Sequence, residues 1–158
     1  MKDYKGKVME SICGADCKNC EYGKKSKCKG CAESNGCPFG TQCFIAKYIQ
    51  TGTVKQYESF KKTLIDEFNA LNISGMPRIT ELYPLNGAFV NIEYPLPSGK
   101  CVKLLNDNAV YLGNQVCCEF DDGEGERCFG LVAAPEFLLV SEYGENCENP
   151  EIVAFLRR

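Results

Sequence analysis

Thr53-Val54-Lys55-Gln56-Tyr57-Glu58-Ser59-Phe60-Lys61-Lys62-Thr63-Leu64-Ile65-Asp66-Glu67-Phe68-Asn69-Ala70-Leu71-Asn72 separates two chemically different parts of the chain. Val54, Tyr57, Phe60, Leu64, Ile65, Phe68 and Leu71 recur at three-to-four-residue steps, while Lys61, Lys62, Asp66 and Glu67 fall elsewhere. That period predicts one long amphipathic helix over about residues 53–72, with Thr53 as its N-cap. A shorter helix is expected from Phe44 to Ile49, stopping near Gly52, and Gly75-Met76-Pro77 closes the helical region.

Beyond Pro84 the period falls to two. Val90, Ile92 and Tyr94 alternate before a turn at Pro97-Ser98-Gly99. Further runs follow at Cys101–Leu105, Ala109–Leu112, Val116–Phe120, Cys128–Val132 and Phe137–Val140, separated by Asn106-Asp107-Asn108, Gly113-Asn114 and an acidic turn. The pattern predicts about six antiparallel strands in a meander. Asn149-Pro150-Glu151 then opens an expected short C-terminal helix, with Arg157-Arg158 at the end where the helix dipole favours cations. The fold class is therefore α+β. Residues 1–50 are expected to form a Cys-rich metal-binding module, and 51–158 a helix plus antiparallel β domain packed against it.

The 158 residues include 12 Cys and no His or Trp, and 18 Lys+Arg against 21 Asp+Glu give a net charge of −3. Without His there is no Ser-His or Cys-His nucleophilic pair and no mixed Cys/His zinc site. No catalytic constellation is visible, so an enzyme is the less favoured reading. No apolar run approaches the roughly 18–20 residues of a membrane helix, and Met1-Lys-Asp-Tyr-Lys-Gly-Lys leads into no apolar core of a secretory signal. A cytoplasmic location is expected. In a reducing compartment dense cysteines serve as metal ligands or redox groups more often than as a disulfide framework.

Seven of the cysteines lie between residues 13 and 43, in the spacing Cys13-x3-Cys17-x2-Cys20-x7-Cys28-x2-Cys31-x5-Cys37-x5-Cys43. A C-x2-C segment curls into a knuckle that presents both sulfurs to one ion, and tetrahedral zinc takes two such pairs. The residue before the second Cys often needs a left-handed conformation; here it is Asn19 in one pair and Gly30 in the other. Cys17, Cys20, Cys28 and Cys31 are thus the primary expected zinc ligands. Four thiolates on Zn2+ leave a −2 charge, which Lys18, Lys24, Lys25, Lys27 and Lys29 offset. Charge divides along the same line, with +5 over residues 1–55 and −8 over residues 56–158.

Cys13, Cys37 and Cys43 are left over, one short of a second four-Cys site. They suit a second ion completed by Asp16, water or a Cys from the other half, or a cross-braced set in which Cys13 joins Cys17 or Cys20 with Cys37 or Cys43. Spacing does not choose between these. An iron-sulfur cluster is the competing cofactor, because Cys13-x3-Cys17-x2-Cys20 resembles the triad of radical S-adenosylmethionine enzymes. The chain is too short for the large partial barrel those enzymes use, roughly 200 residues or more.

Cys13-Gly14-Ala15-Asp16-Cys17-Lys18-Asn19-Cys20, followed by Cys28-Lys29-Gly30-Cys31 and then Cys37 and Cys43, resembles a bacterial and archaeal Cys-rich domain of unknown function described as zinc-binding. The similarity spans about residues 11–50. Members of that family carry more Cys after the second knuckle, where this chain has Ala46-Lys47-Tyr48-Ile49-Gln50. The resemblance implies zinc and no activity.

Other features have plain readings. The lysine-rich Lys24–Lys29 stretch has only Tyr22 near it for base stacking, so nucleic acid is not the favoured partner. Asp121-Asp122-Gly123-Glu124-Gly125-Glu126 lacks the ligand spacing of a calcium loop and fits a solvated hairpin turn. Cys117 and Cys118, adjacent on a strand, point to opposite faces. Cys101, Cys128 and Cys147 are expected as small apolar residues in or near the core, one of them a candidate extra ligand. The functional expectation is a structural four-Cys zinc stabilising a cytoplasmic binding or adaptor module with a protein partner and no membrane association. The alternative is an iron-sulfur or thiol redox protein using the same cysteines.

Overall fold

The long helix, α3 (Val54–Ala70), follows α1 (Gly30–Ser34) and α2 (Phe44–Thr51). In this computed structural model, residues 11–13, 28, 30–37, 40, 42–87, 90, 92–119, 123, 125–144 and 150–158 are described. Thr53 caps α3 as expected: its hydroxyl accepts from the Gln56 amide at 3.1 Å, and the Gln56 side-chain oxygen accepts from the Thr53 amide at 2.9 Å. This reciprocal pair satisfies two of the donors that a helix start leaves free. Tyr57, Leu64 and Phe68 are buried, whereas Val54 at the first turn is exposed. The helix stops at Ala70, ahead of Gly75, because Asn69 holds the returning chain: its amide donates to the Ile79 carbonyl at 3.0 Å and its oxygen accepts from the Ile79 amide at 2.9 Å.

Seven strands follow: β1 (Tyr83–Asn86), β2 (Glu93–Pro95), β3 (Cys101–Lys103), β4 (Val110–Glu119), β5 (Glu126–Ala134), β6 (Phe137–Tyr143) and β7 (Glu151–Arg157). Five form an antiparallel sheet in the order β1-β4-β5-β6-β7, and β2 pairs with β3 in a separate ribbon around the expected Pro97-Ser98-Gly99 turn. The α+β class and the antiparallel pairing agree with the sequence pattern. The single six-strand meander does not.

Two differences have clear physical causes. Gly113-Asn114, expected as a turn, lies within one continuous strand, β4. A Cβ on Gly113 would meet the Leu131 carbonyl oxygen at 2.8 Å and Leu85 Cδ2 at 2.9 Å, so glycine here lets β1 and β5 close on both sides of β4. The expected C-terminal helix is instead the strand β7. Ile152, Val153 and Phe155 are β-branched or aromatic, which favours an extended strand, and pairing along β6 satisfies its backbone hydrogen bonds. Phe155 stacks on Phe137 with ring centroids 5.5 Å apart.

The sheet is covered on both faces. On one, Leu112, Phe129, Leu131, Ala133, Leu138 and Val140 pack with Leu64 and Phe68 of α3, Ile45 of α2, and Ile79 and Leu82. On the other, Val90, Ile92 and Leu105 pack on Tyr111, Val132, Ala134 and Leu139. Among the described residues no helix is long and apolar enough to cross a membrane.

Candidate metal centre

After α1, the described residues between Cys31 and Cys43 are linked by turn hydrogen bonds. The Gly36 amide donates to the Cys31 carbonyl, the Cys37 amide to Ser34, the Gly40 amide to Cys37, and the Cys43 amide returns to the Gly36 carbonyl at 3.0 Å. Gly30, the expected left-handed position of the second knuckle, has φ +72°. Gly36, at φ +87°, lies so close to α2 that a Cβ would meet Ala46 Cβ at 3.1 Å and Ile12 Cδ1 at 3.3 Å. Asn35, Gln50 and Gln42 add a side-chain ladder that ties the turns to α2: Gln50 donates to Asn35 at 3.0 Å and Gln42 donates to Gln50 at 3.3 Å.

This folding sets near one another cysteines that the spacing treated separately. Cys13, Cys28, Cys31, Cys37 and Cys43 are all half-buried. Burial pushes the Cys31 thiol pKa up, and the neighbouring Cys13, Cys28 and Cys37 raise it further against the opposing hydrogen bond from the Ile12 backbone. Burial likewise raises Cys43, whose sulfur faces the backbone amides of Ile45 and Ala46 at the start of α2 and feels Cys13 and Cys31. Tyr57 of α3 borders the group: its hydroxyl is pushed well above the ordinary tyrosine range, first by burial and then by Cys13, Glu58, Glu81 and Cys43. Cys13 and Cys43 also pack directly against the main core.

Of the primary expected ligands, Cys28 and Cys31 stand in this group, while Cys17 and Cys20 lie outside the described residues, as do the five lysines, Asp16 and Cys147. Of the three leftover residues, Cys13 and Cys37 bear electrostatically on Cys31, and Cys13 and Cys31 on Cys43, but among the described residues no three of these sulfurs lie within 4.8 Å of one another.

Two expectations about the other cysteines are overturned. Cys101 is exposed on β3, because the ribbon turns that edge outward. Cys128 forms a disulfide with Cys117, its direct cross-strand partner, with Cα atoms 4.1 Å apart. Cys117 and Cys118 do diverge as expected, and the Cys118 thiol donates to the Gly75 carbonyl at 2.9 Å. The disulfide had a signal in the sequence: a hairpin centred between Asp122 and Gly123 places residue 117 opposite 128, as the pair Glu119–Glu126 confirms. Among the described residues, the metal-ligating side chains whose donor atoms all lie within 4.8 Å of one another are Cys117, Glu126 and Cys128. Compared with protein-family models, curated proteins and solved structures, the chain matches none.

Proposed function

We propose that the chain is a zinc-binding protein whose N-terminal thiolates form a structural centre, and that this centre fixes the loops of a binding or adaptor module for a protein partner. The observation that carries the reading is the set of half-buried cysteines near Cys31, of which Cys13 and Cys43 pack against the core. An all-sulfur donor set of this density suits tetrahedral zinc, and the left-handed Gly30 gives the Cys28–Cys31 segment its knuckle turn. Cys28 and Cys31 supply two thiolates. The other two come from Cys17 and Cys20, the pair that spacing favours, or from Cys13 with Cys37 or Cys43.

The raised pKa values of Cys31 and Cys43 bear on the chemistry. Such thiols keep their protons near neutral pH until a cation displaces them, so binding releases protons and couples to local folding. Exposed Tyr94, Leu96 and Val102 on and beside the β2–β3 ribbon offer an apolar surface for a partner.

Elemental analysis of protein purified under reductant tests the proposal. In protein carrying Cys117→Ser/Cys128→Ser, so that the N-terminal thiols alone are counted, we expect at least one zinc per chain, lost or weakened by a further Cys31→Ser and kept with a further Cys101→Ser. Folded protein without zinc would overturn it, and iron with acid-labile sulfide would move the same thiols to redox chemistry.

A further inference from the structure

We propose that Cys117, Cys128 and Glu126 form a second, redox-gated metal site at the tip of the β4–β5 hairpin, closed as a disulfide and opened to bind zinc when that bond is reduced. The site is independent of the N-terminal thiols. The β4–β5 register places two successive cross-strand pairs side by side, Cys117 with Cys128 and Glu119 with Glu126. Residues two apart on a strand share a face, so both sulfurs and both carboxylates project from the same side of the hairpin. The donor atoms of Cys117, Cys128 and Glu126 all lie within 4.8 Å of one another. Cys117, Glu119 and Glu126 are exposed, so both a reductant and an ion can reach the site.

Charge argues for a cation here. Glu119 and Glu126 are like charges directly opposite each other on a sheet, an arrangement that destabilises the pair. Arg127, between Glu126 and Cys128 in the strand, projects from the opposite face, where it holds Glu142 through two hydrogen bonds of 2.8 and 3.1 Å. Reduction adds two potential thiolates to the two carboxylates. Two sulfurs and one carboxylate oxygen are a donor set for zinc, with Glu119 or a water molecule as the fourth ligand.

The exchange balances. A dithiol reductant transfers two electrons and two protons to the Cys117–Cys128 bond; that S–S bond breaks, and the reductant closes its own disulfide. Zinc binding then releases the two thiol protons, and Zn2+ keeps its oxidation state. In the reverse direction a low-molecular-weight disulfide accepts the two electrons of the zinc-bound thiolates, its own S–S bond breaks, and it takes two protons from solvent to leave as two thiols; the Cys117–Cys128 bond re-forms, and Zn2+ is ejected.

The full chain, labelled with 13C, tests this through the Cβ resonances of Cys117 and Cys128, which report their own chemistry whatever the N-terminal thiols hold. Air-oxidised protein should show disulfide shifts unaffected by zinc. After reduction with dithiothreitol and its removal under anaerobic conditions, added Zn2+ should move both resonances from thiol to metal-thiolate positions. The reduced wild type should also bind one more zinc than Cys117→Ser/Cys128→Ser, while reduced Glu126→Gln should hold that zinc about tenfold or more weakly. Cβ shifts of the reduced cysteines that ignore zinc, or equal zinc content in wild type and double variant, would overturn the site.

Discussion

Arg158 grips Glu67 across 91 positions of sequence, with Nε 2.7 Å from one carboxylate oxygen and the second guanidinium nitrogen 2.9 Å from the other. The same guanidinium lies 5.5 Å from the centre of the Phe60 ring, and the Arg158 amide donates to the Glu136 carbonyl at 2.8 Å. The end of the sheet is thereby fastened to the helix that covers it. A two-pronged pair on side chains only 21% and 31% exposed is stronger than an ordinary surface ion pair. Arg158→Ala should lower stability by about 1 kcal/mol and Arg158→Lys by less, with amide protection lost first along β7. Urea melts with hydrogen exchange read this directly; an unchanged midpoint and unchanged β7 protection would show that the pair contributes nothing.

Gly113 is a point in the sheet where an added side chain would meet backbone directly. Alanine there drives its methyl group against the Leu131 carbonyl oxygen, backbone that cannot rotate away, and against Leu85. Gly113→Ala should destabilise by about 1–3 kcal/mol, as overpacking does, with β1 the first strand to loosen. Gly99→Ala, with no atom within 4 Å of the added carbon, is the control for space, though its φ of +84° carries a strain of its own. The denaturation midpoint and the amide protection of residues 83–86 separate the two effects.

Helices α2 and α3 were legible because their signals are local: the apolar period of α3, the Thr53 cap and the stop at Gly52 need only neighbouring residues, whereas the one-turn α1 was not expected. The strands were less so. Gly113-Asn114 reads as a turn in isolation, and only the neighbours Leu85 and Leu131 explain why glycine is needed inside a strand. The last segment was misread for the same reason, since Pro150 and the terminal arginines suit a helix start and end, while the partner strand Phe137–Tyr143 that extends them is remote in sequence. At the candidate site, the left-handed conformation expected at Gly30 is present, at φ +72°. The turns at Asn35, Gly36 and Gly40, which place Cys37 and Cys43 relative to Cys31, are encoded by no spacing rule.

Acid should reveal the Arg127–Glu142 pair. The hydrogen bonds from Arg127 hold the Glu142 carboxyl below its usual pKa. A carboxylate whose folded pKa is depressed contributes stability above its unfolded value, near 4.3, and loses that contribution as pH falls through the folded value. Glu142→Gln should therefore be less stable than wild type at pH 7 by a modest amount, below about 1 kcal/mol given the partial exposure. The gap should hold down to about pH 5 and close as acidity increases further. Parallel melts at several pH values measure it, and a gap that widens in acid would reverse the sign assigned here.

Removing the metal should separate what the thiols hold from what the core holds. Ile45, Leu64, Phe68 and Phe129 are fully buried in one core shared by α2, α3 and the sheet. At about 25 cal/mol per Å² of apolar area, that core stands without a metal. Once zinc is withdrawn, burial and their neighbours favour protonation of Cys31 and Cys43, and neutral thiols no longer draw the turns together. Chelation under reductant should therefore release the amides of residues 12–13 and 31–43, while α3 and the strands from 110 to 143 keep their protection. Because Ile45 is fully buried, α2 should stay with the sheet, its first turn loosening where Cys43 begins it. Hydrogen exchange on the stripped protein decides the matter: uniform loss across residues 110–143 would mean that metal and core form one cooperative unit.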